Sequence, residues 1–236
     1  FILDVDGTLA DTNPAHIEAW RIAFEKCGYT IAPDRIAIEI GKGGDKLVAA
    51  ILGQSADQKD GDALRENYGR AFLDIAAREN FRVFDGVVEL LRELRNRKLK
   101  IAIATSADRP YFDAIQKSTG VQLQNYVDYV TTKSDAAHSK PAPDLVLATS
   151  EKLGLSPAQC AMLGDTPYDA QSAKHSGVVC LGVLTGGFKE TELVRAGARR
   201  VWKNANEVLQ NLDEVLEIAS PTNISLTSKI QEQLMH

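Results

Sequence analysis

The chain opens on a short apolar run that ends in acid, Phe1-Ile2-Leu3-Asp4-Val5-Asp6, followed at once by Gly7-Thr8. Such a run predicts a buried strand that stops at a turn. Four later stretches have the same character: 100–105 (KIAIAT), 126–131 (YVDYVT), 160–164 (CAMLG) and 178–183 (VVCLGV). Strands that are apolar almost without alternation suit a parallel sheet covered on both faces.

Helical spacing fills the intervals. Val87, Leu90, Leu91 and Leu94 mark one apolar stripe over 87–98, with Glu and Arg opposite. Residues 144–153 and 168–176 also read as helices, each closed by a glycine (Gly154, Gly177) that favours a C-terminal stop. Alternating strands and helices predict an α/β, doubly wound, parallel-sheet (Rossmann-like) core. Ligands bind such sheets at the carboxyl ends of the strands. Residues 13–82 break the alternation and read as helix throughout, over 15–27, 45–52 and 57–77. The expected organisation is a core of residues 1–12 and 83–219, an inserted all-helical cap of 13–82, and a polar C-terminal tail of 220–236.

The 236 residues suffice for one large domain plus a smaller module. A net charge of -5 offers no basic footprint, so no nucleic-acid partner is expected. A phosphate-handling protein of this charge must supply positive charge locally. No run reaches the ~18 apolar residues of a membrane span. The three cysteines, Cys27, Cys160 and Cys180, form no CxxC pair. Cys160 and Cys180 read as buried small hydrophobes, and a reducing, cytoplasmic setting is expected. The first residue is Phe1 rather than Met, so sequence upstream is expected and a targeting segment there stays open.

Candidate chemistry gathers at the predicted strand ends. In extended chain, Asp4 and Asp6 point the same way. Such a pair can hold a hard divalent cation, or split labour between nucleophile and proton shuttle. The bland alternative is a solvated acidic turn. Thr105 and Ser106 can hydrogen-bond a phosphoryl oxygen, or simply cap a helix. Lys140, held between Ser139 and Pro141 in the stretch SKPAPD, can neutralise a phosphoryl oxygen, or sit in a plain loop where Asp144 caps the next helix. Asp165 can complete a metal site. Asp169, four residues on, can orient Lys140 or serve the metal indirectly, or act only as a first-turn acid on the helix dipole.

Taken in order, these segments resemble the haloacid dehalogenase-like hydrolases, in particular the phosphoglycolate-phosphatase and β-phosphoglucomutase-like branch. The motifs are DVDGT at 4–8, Thr105, Lys140 in KPAPD, and GDTPYD at 164–169. The resemblance implies that Asp4 attacks phosphorus and becomes an aspartyl-phosphate. Asp6 is then the general acid and base, and a raised Asp6 pKa is expected for that task. Thr105, Ser106 and Lys140 would hold the phosphoryl group. Mg²⁺ would be bound by Asp4, the carbonyl of Asp6, and Asp165, with Asp169 behind them.

The cap would close over the site and choose the substrate. Its Gly41-Lys42-Gly43-Gly44-Asp45-Lys46 loop lacks P-loop spacing. Lys42 and Lys46 are candidates for an anionic end of the substrate, unless the loop is only a flexible turn. The expected partner is a small phosphorylated metabolite, and the expected state a monomer or weak homodimer. A sugar phosphomutase and a catalytically inactive ligand-binding module are the competing readings.

Overall fold

A computed structural model describes residues 1–220. Six strands form one parallel sheet: β1 (Ile2–Leu3), β2 (Ala102–Ala104), β3 (Tyr129–Thr131), β4 (Ala161–Gly164), β5 (Val179–Val183) and β6 (Ala198–Trp202), in the order β3-β2-β1-β4-β5-β6. Leu3 pairs with Ile103 on one side and Leu163 on the other, so the residue after β1 emerges between the ends of β2 and β4. Chain connections diverge to either side of β1 at this point, the usual place for a ligand crevice.

Four helices precede the second strand's helix: α1 (Asn13–Lys26), α2 (Pro33–Ala37), α3 (Gly44–Leu52) and α4 (Gln54–Arg78). Then come α5 (Val87–Asn96), α6 (Arg109–Thr119), α7 (Asp144–Leu153), α8 (Pro167–Ser176), α9 (Glu190–Ala196), α10 (Ala205–Gln210) and α11 (Leu212–Ala219). Side chains of α5, α6, α10 and α11 share one apolar cluster with Leu3, Ile103, Leu163 and Leu181. Those of α7, α8 and α9 share another with Ile2, Ala102, Met162 and Cys180. Neighbouring strand residues thus face opposite clusters, which is why the inner strands β1, β2, β4 and β5 carry no charged or hydroxyl side chain.

The helical cap is α1–α4, with its own cluster of Trp20, Phe24, Ile36, Leu47, Val48 and Leu64. Phe72 and Ala71 of α4, and Ala15 and Ala19 of α1, join the main core instead. The chain enters and leaves the cap through a short ribbon. Ala10 bridges Val83 antiparallel, Asp11 N–H donates to the Arg82 carbonyl at 2.9 Å, and Phe84 N–H donates to that of Leu9 at 3.0 Å.

Gly154 and Gly177 close α7 and α8 with φ of +65° and +76°, as the pattern predicts. The predicted strand over 126–131 keeps only its second half, because a 3₁₀ turn takes Leu123–Tyr126. Strand β6 and helix α6 were not anticipated. In β6 the exposed Arg199 and Arg200 interrupt the apolar run at the sheet edge. Asp144 does not cap α7: Pro143 holds the N-cap position, and the Asp144 carboxylate accepts from His138 Nδ1 at 2.9 Å. Cys160 and Cys180 are buried and all three cysteines are free. Among the described residues no helix is long and apolar enough to cross a membrane. Most of the tail predicted over 220–236 lies outside the described residues.

Leu91 is fully buried against the sheet, whereas Leu147 is 41% exposed. Leu91→Ala is expected to lower unfolding free energy by about 2–5 kcal/mol and Leu147→Ala by no more than about 0.5 kcal/mol. Urea melts of the two variants check this, and comparable losses would contradict the layer assignment.

Candidate active site

Asp4 follows β1 and is 5% exposed. Its N–H donates to the Leu163 carbonyl at 3.0 Å, which fixes it against the end of β4. Its Oδ1 is held in a close ion pair by Lys140 Nζ. The same ammonium lies 2.7 Å from Asp169 Oδ1 and donates to the Ala104 carbonyl at 3.2 Å. Lys140 itself is 1% exposed. Burial works to lower its pKa, but the charges of Asp169 and Asp4 outweigh that and hold it above the usual lysine range. For Asp4 burial dominates, and with Asp169 and Asp6 nearby its pKa is pushed up to about 8 despite Lys140.

Asp169 is both things the sequence allowed. It forms a capping box at the start of α8, accepting from Thr166 N at 3.0 Å and Thr166 Oγ1 at 2.6 Å. Its other oxygen faces Lys140. Asp165, fully buried after β4, accepts from Thr8 Oγ1 at 2.7 Å and Asn13 Nδ2 at 3.3 Å. A side chain at Gly186, or at Gly7 with its φ of +78°, would overlap the Asp165 carboxylate.

Asp6 has different partners. It lies past the end of β1, just before the left-handed Gly7, and lines the same cavity as Asp4. Its Oδ1 accepts from Thr12 Oγ1 at 2.6 Å and meets His16 Nε2 at 2.8 Å. Thr12 stands at the N-cap of α1 but makes no cap bond with its side chain; its hydroxyl goes to Asp6. His16 stacks flat on Phe72, 4.2 Å between centroids, and its Nδ1 lies 2.8 Å from Tyr68 Oη. Tyr68 can donate or accept there, so Nε2–H donates to Asp6 in either protonation state of the ring. The expected rise in the Asp6 pKa does not occur. Burial pushes it up, but His16, Thr12 and Lys140 together pull it below the ordinary range. His16 is the residue the sequence reading missed. Its signal was a polar side chain on the apolar face of α1, one turn beyond Thr12.

Thr105 is fully buried; its Oγ1 accepts from Ala107 N at 3.0 Å and lies 3.4 Å from Asp6 Oδ2. The Ser106 hydroxyl is buried without a hydrogen-bond partner. Neither caps α6, whose N-cap is Asp108. A cavity of about 70 Å³ sits above, lined by Asp4, Asp6, His16 and Ser106 from below. Trp20, Tyr68 and the 40–44 loop of the cap line it too, with Tyr111, Asp108 and Lys133 of the core. Lys42 lines it. Lys46, exposed on the first turn of α3, does not.

The family description "Haloacid dehalogenase-like hydrolase" matches residues 1–183. The chain belongs to the haloacid dehalogenase-like hydrolases. A hydrolase of known structure from Pseudomonas syringae superposes with a TM-score of 0.84 at 31% identity, covering 91% of this chain and 98% of that one. The probable phosphatase IndB of Dickeya dadantii is 30% identical over 222 residues, 93% of this chain and 95% of that protein. The chloroplastic protein SUPPRESSOR OF QUENCHING 1 of Arabidopsis thaliana is 27% identical over 233 residues. Those are 98% of this chain but only 22% of that much longer protein.

A metal fits this haloacid dehalogenase-like site. Asp4, Asp165 and Asp169 each bring a buried carboxylate oxygen to within 4.8 Å of the others. Only Lys140 balances them by a direct ion pair among the described residues. An all-oxygen donor set of surplus negative charge suits a hard divalent cation. Asp169 is committed to Thr166 and Lys140, which leaves Asp4 and Asp165 as the freer ligands.

Burial, with neighbouring Asp169 and Asp4, also raises the Asp165 pKa well above the carboxylate range. Folded protein without metal therefore binds more protons than unfolded chain from the carboxylate range up to about 8, so its stability falls as pH rises through that window. Asp6, shifted downward, has finished titrating below it. Thermal melts in chelator are expected to show a lower Tm near pH 8 than near pH 5.5, with Mg²⁺ raising Tm more at the higher pH. Melting insensitive to Mg²⁺ at both values would remove the case for a metal here.

Proposed function

We propose that this chain is a Mg²⁺-dependent phosphatase that hydrolyses a small phosphomonoester through an aspartyl-phosphate on Asp4. The observation that carries the reading is the pairing of Asp4 with Asp6 on one cavity floor, each held by a different partner. Asp4 is fixed by Lys140, and Asp6 by Thr12 and His16. The phosphatase relative and the family membership support the same reaction class.

In the first half-reaction a carboxylate oxygen of Asp4 bonds to phosphorus as the bond to the leaving oxygen breaks. The proton for that oxygen comes from Asp6, which enters this step protonated and leaves it as a carboxylate that His16 Nε2 and Thr12 Oγ1 hydrogen-bond. In the second, Asp6 takes a proton from water as the water oxygen bonds to phosphorus and the bond to Asp4 breaks. Lys140 offsets charge beside Asp4, and the unpartnered Ser106 hydroxyl and Thr105 offer hydrogen bonds to phosphoryl oxygens. Asp4 and Asp165, with the Asp6 carbonyl, would hold Mg²⁺, which supplies further neutralisation of phosphoryl charge. The cap, taken as residues 13–82, excludes water while His16 is in place.

Phosphate release from a panel of small phosphomonoesters tests this. Release is expected to require Mg²⁺ and to fall at least about a thousandfold in Asp4→Asn. No release from any member by the intact protein would sink the phosphatase reading. Transfer between sugar hydroxyls in place of release would favour the mutase. His16→Ala is expected to lower kcat on the order of 100-fold for alkyl phosphates, and far less for nitrophenyl phosphate, whose leaving group needs no proton. An equal loss on both would assign His16 to packing alone.

A further inference from the structure

The cap loop that roofs the cavity is clamped to the core beside the charged residues. Tyr168, next to Asp169, donates from its hydroxyl to the Ile38 carbonyl at 2.6 Å. Thr166 lies directly under Gly41, and Ser139, the neighbour of Lys140, donates to Asp45. At the centre of this seam Glu39 is only 7% exposed. Its Oε1 takes Arg35 at 2.6 Å, and its Oε2 takes Lys42 and lies 3.4 Å from Tyr168 Oη. The Lys42 ammonium sits 4.6 Å over the Tyr168 ring. Lys42 is thus held from two sides.

Each positive feature on the upper part of the cavity comes with its own acid. Lys42 has Glu39, which also takes the part-exposed Arg35 on the side away from the cavity lining, and Lys133 has Asp108 at 4.0 Å. The N-terminal turn of α3, which borders the cavity at Gly43 and Gly44, carries Asp45. The rest of the wall is uncharged: the aromatic Trp20, Tyr68 and Tyr111, with Ile40, Gly41 and Ala107. Lys133 and Asp108 are part-exposed and weakly coupled through water. Glu39 and Lys42 are the shielded pair, with side chains 9% and 17% exposed. A carboxylate on the substrate would have to displace Glu39 from Lys42 and leave a buried acid short of a partner.

Resting on the phosphatase reading, we propose that Glu39 sets the charge of the substrate. By neutralising Lys42 it makes the site select phosphomonoesters with an uncharged, hydroxyl-bearing leaving group and reject those with a carboxylate. Lys42 is then a wall of the cavity and not a receptor for anions. Glu39 acts through Lys42 and is a positioning residue.

The test uses two esters of nearly equal size, hydroxyethyl phosphate and phosphoglycolate. Their binding is measured by calorimetry with Mg²⁺ in the Asp4→Asn protein, where neither turns over. The Glu39-intact protein is expected to prefer hydroxyethyl phosphate. Glu39→Gln is expected to move the affinity ratio toward phosphoglycolate by at least about tenfold, and Glu39→Asp to restore it. A merely structural loss would weaken both ligands together and leave the ratio alone. Glu39→Gln combined with Lys42→Gln removes the pair together and leaves neither charge alone, which gives an independent reading: the ratio is expected to stay within about twofold of that in the Glu39-intact protein. A preference for phosphoglycolate in the intact protein, an unchanged ratio in Glu39→Gln, a ratio in the double variant shifted as far as in Glu39→Gln, or no binding of either ester overturns the proposal. Binding is read without turnover, so a failure of the phosphatase reading would show separately, in the release assay.

Discussion

Lys140 is almost completely buried and faces two carboxylates, with a third acid close behind them. A charge in that setting is tolerated only with its partners in place, and removing one member of such a cluster typically costs about 3–5 kcal/mol. The site's architecture follows from this. The ammonium needs Asp169, so α8 must begin where Thr166 can cap it and present that carboxylate. It needs Asp4, so β1 must end between β2 and β4. The remaining negative charge, on Asp165, is hemmed in by Gly7 and Gly186, where no side chain fits. A cluster this poor in counter-charge suits a cation, and the same shortage, with burial, keeps Asp4 and Asp165 protonated at higher pH than usual.

Asp6 belongs to a different network. Its partners Thr12 and His16 lie on α1, and His16 is braced by Phe72 and Tyr68 of α4. Asp4 is thus fixed by the sheet, and Asp6 by the start of α1 and the side chains behind it. In the proposed reaction the partners of Asp6 come with the helices that cover the cavity, which would tie proton transfer to that cover. The clamps from Tyr168 to the 38–42 loop and from Ser139 to Asp45 hold that cover from the core side, within a residue of Asp169 and Lys140.

Much of the core site was legible in the sequence. DVDGT, Lys140 and GDTPYD are local signals, each written at or near a strand end, and a parallel sheet gathers strand ends at one edge. The cap was legible only as helix. What His16 touches depends on Tyr68, 52 residues away, and what Tyr168 touches lies about 130 residues away. No local pattern encodes those meetings. The sign of the Asp6 shift was misread for this reason, since burial alone argues for a rise and His16 reverses it. The pairing of Lys42 with Glu39, three residues before it, is unmarked in the sequence, where Glu39 is one acid among many. Strand β6 was hidden by two arginines that a sheet edge accommodates easily.

The ribbon at Ala10 and Val83 has a consequence for how such a protein can change over time. The two chain crossings into and out of the cap are held together by backbone hydrogen bonds at Leu9, Asp11, Arg82 and Phe84, with one exposed ion pair between Arg82 and Asp11 at 3.5 Å. The ends of the insertion are therefore already adjacent, so a longer, shorter or unrelated insertion closes the same gap at little entropic expense. The roof is exchangeable in a way that the floor is not. A lineage could trade one lid for another and inherit a new appetite, while the acid-lined hearth beneath stayed as it was.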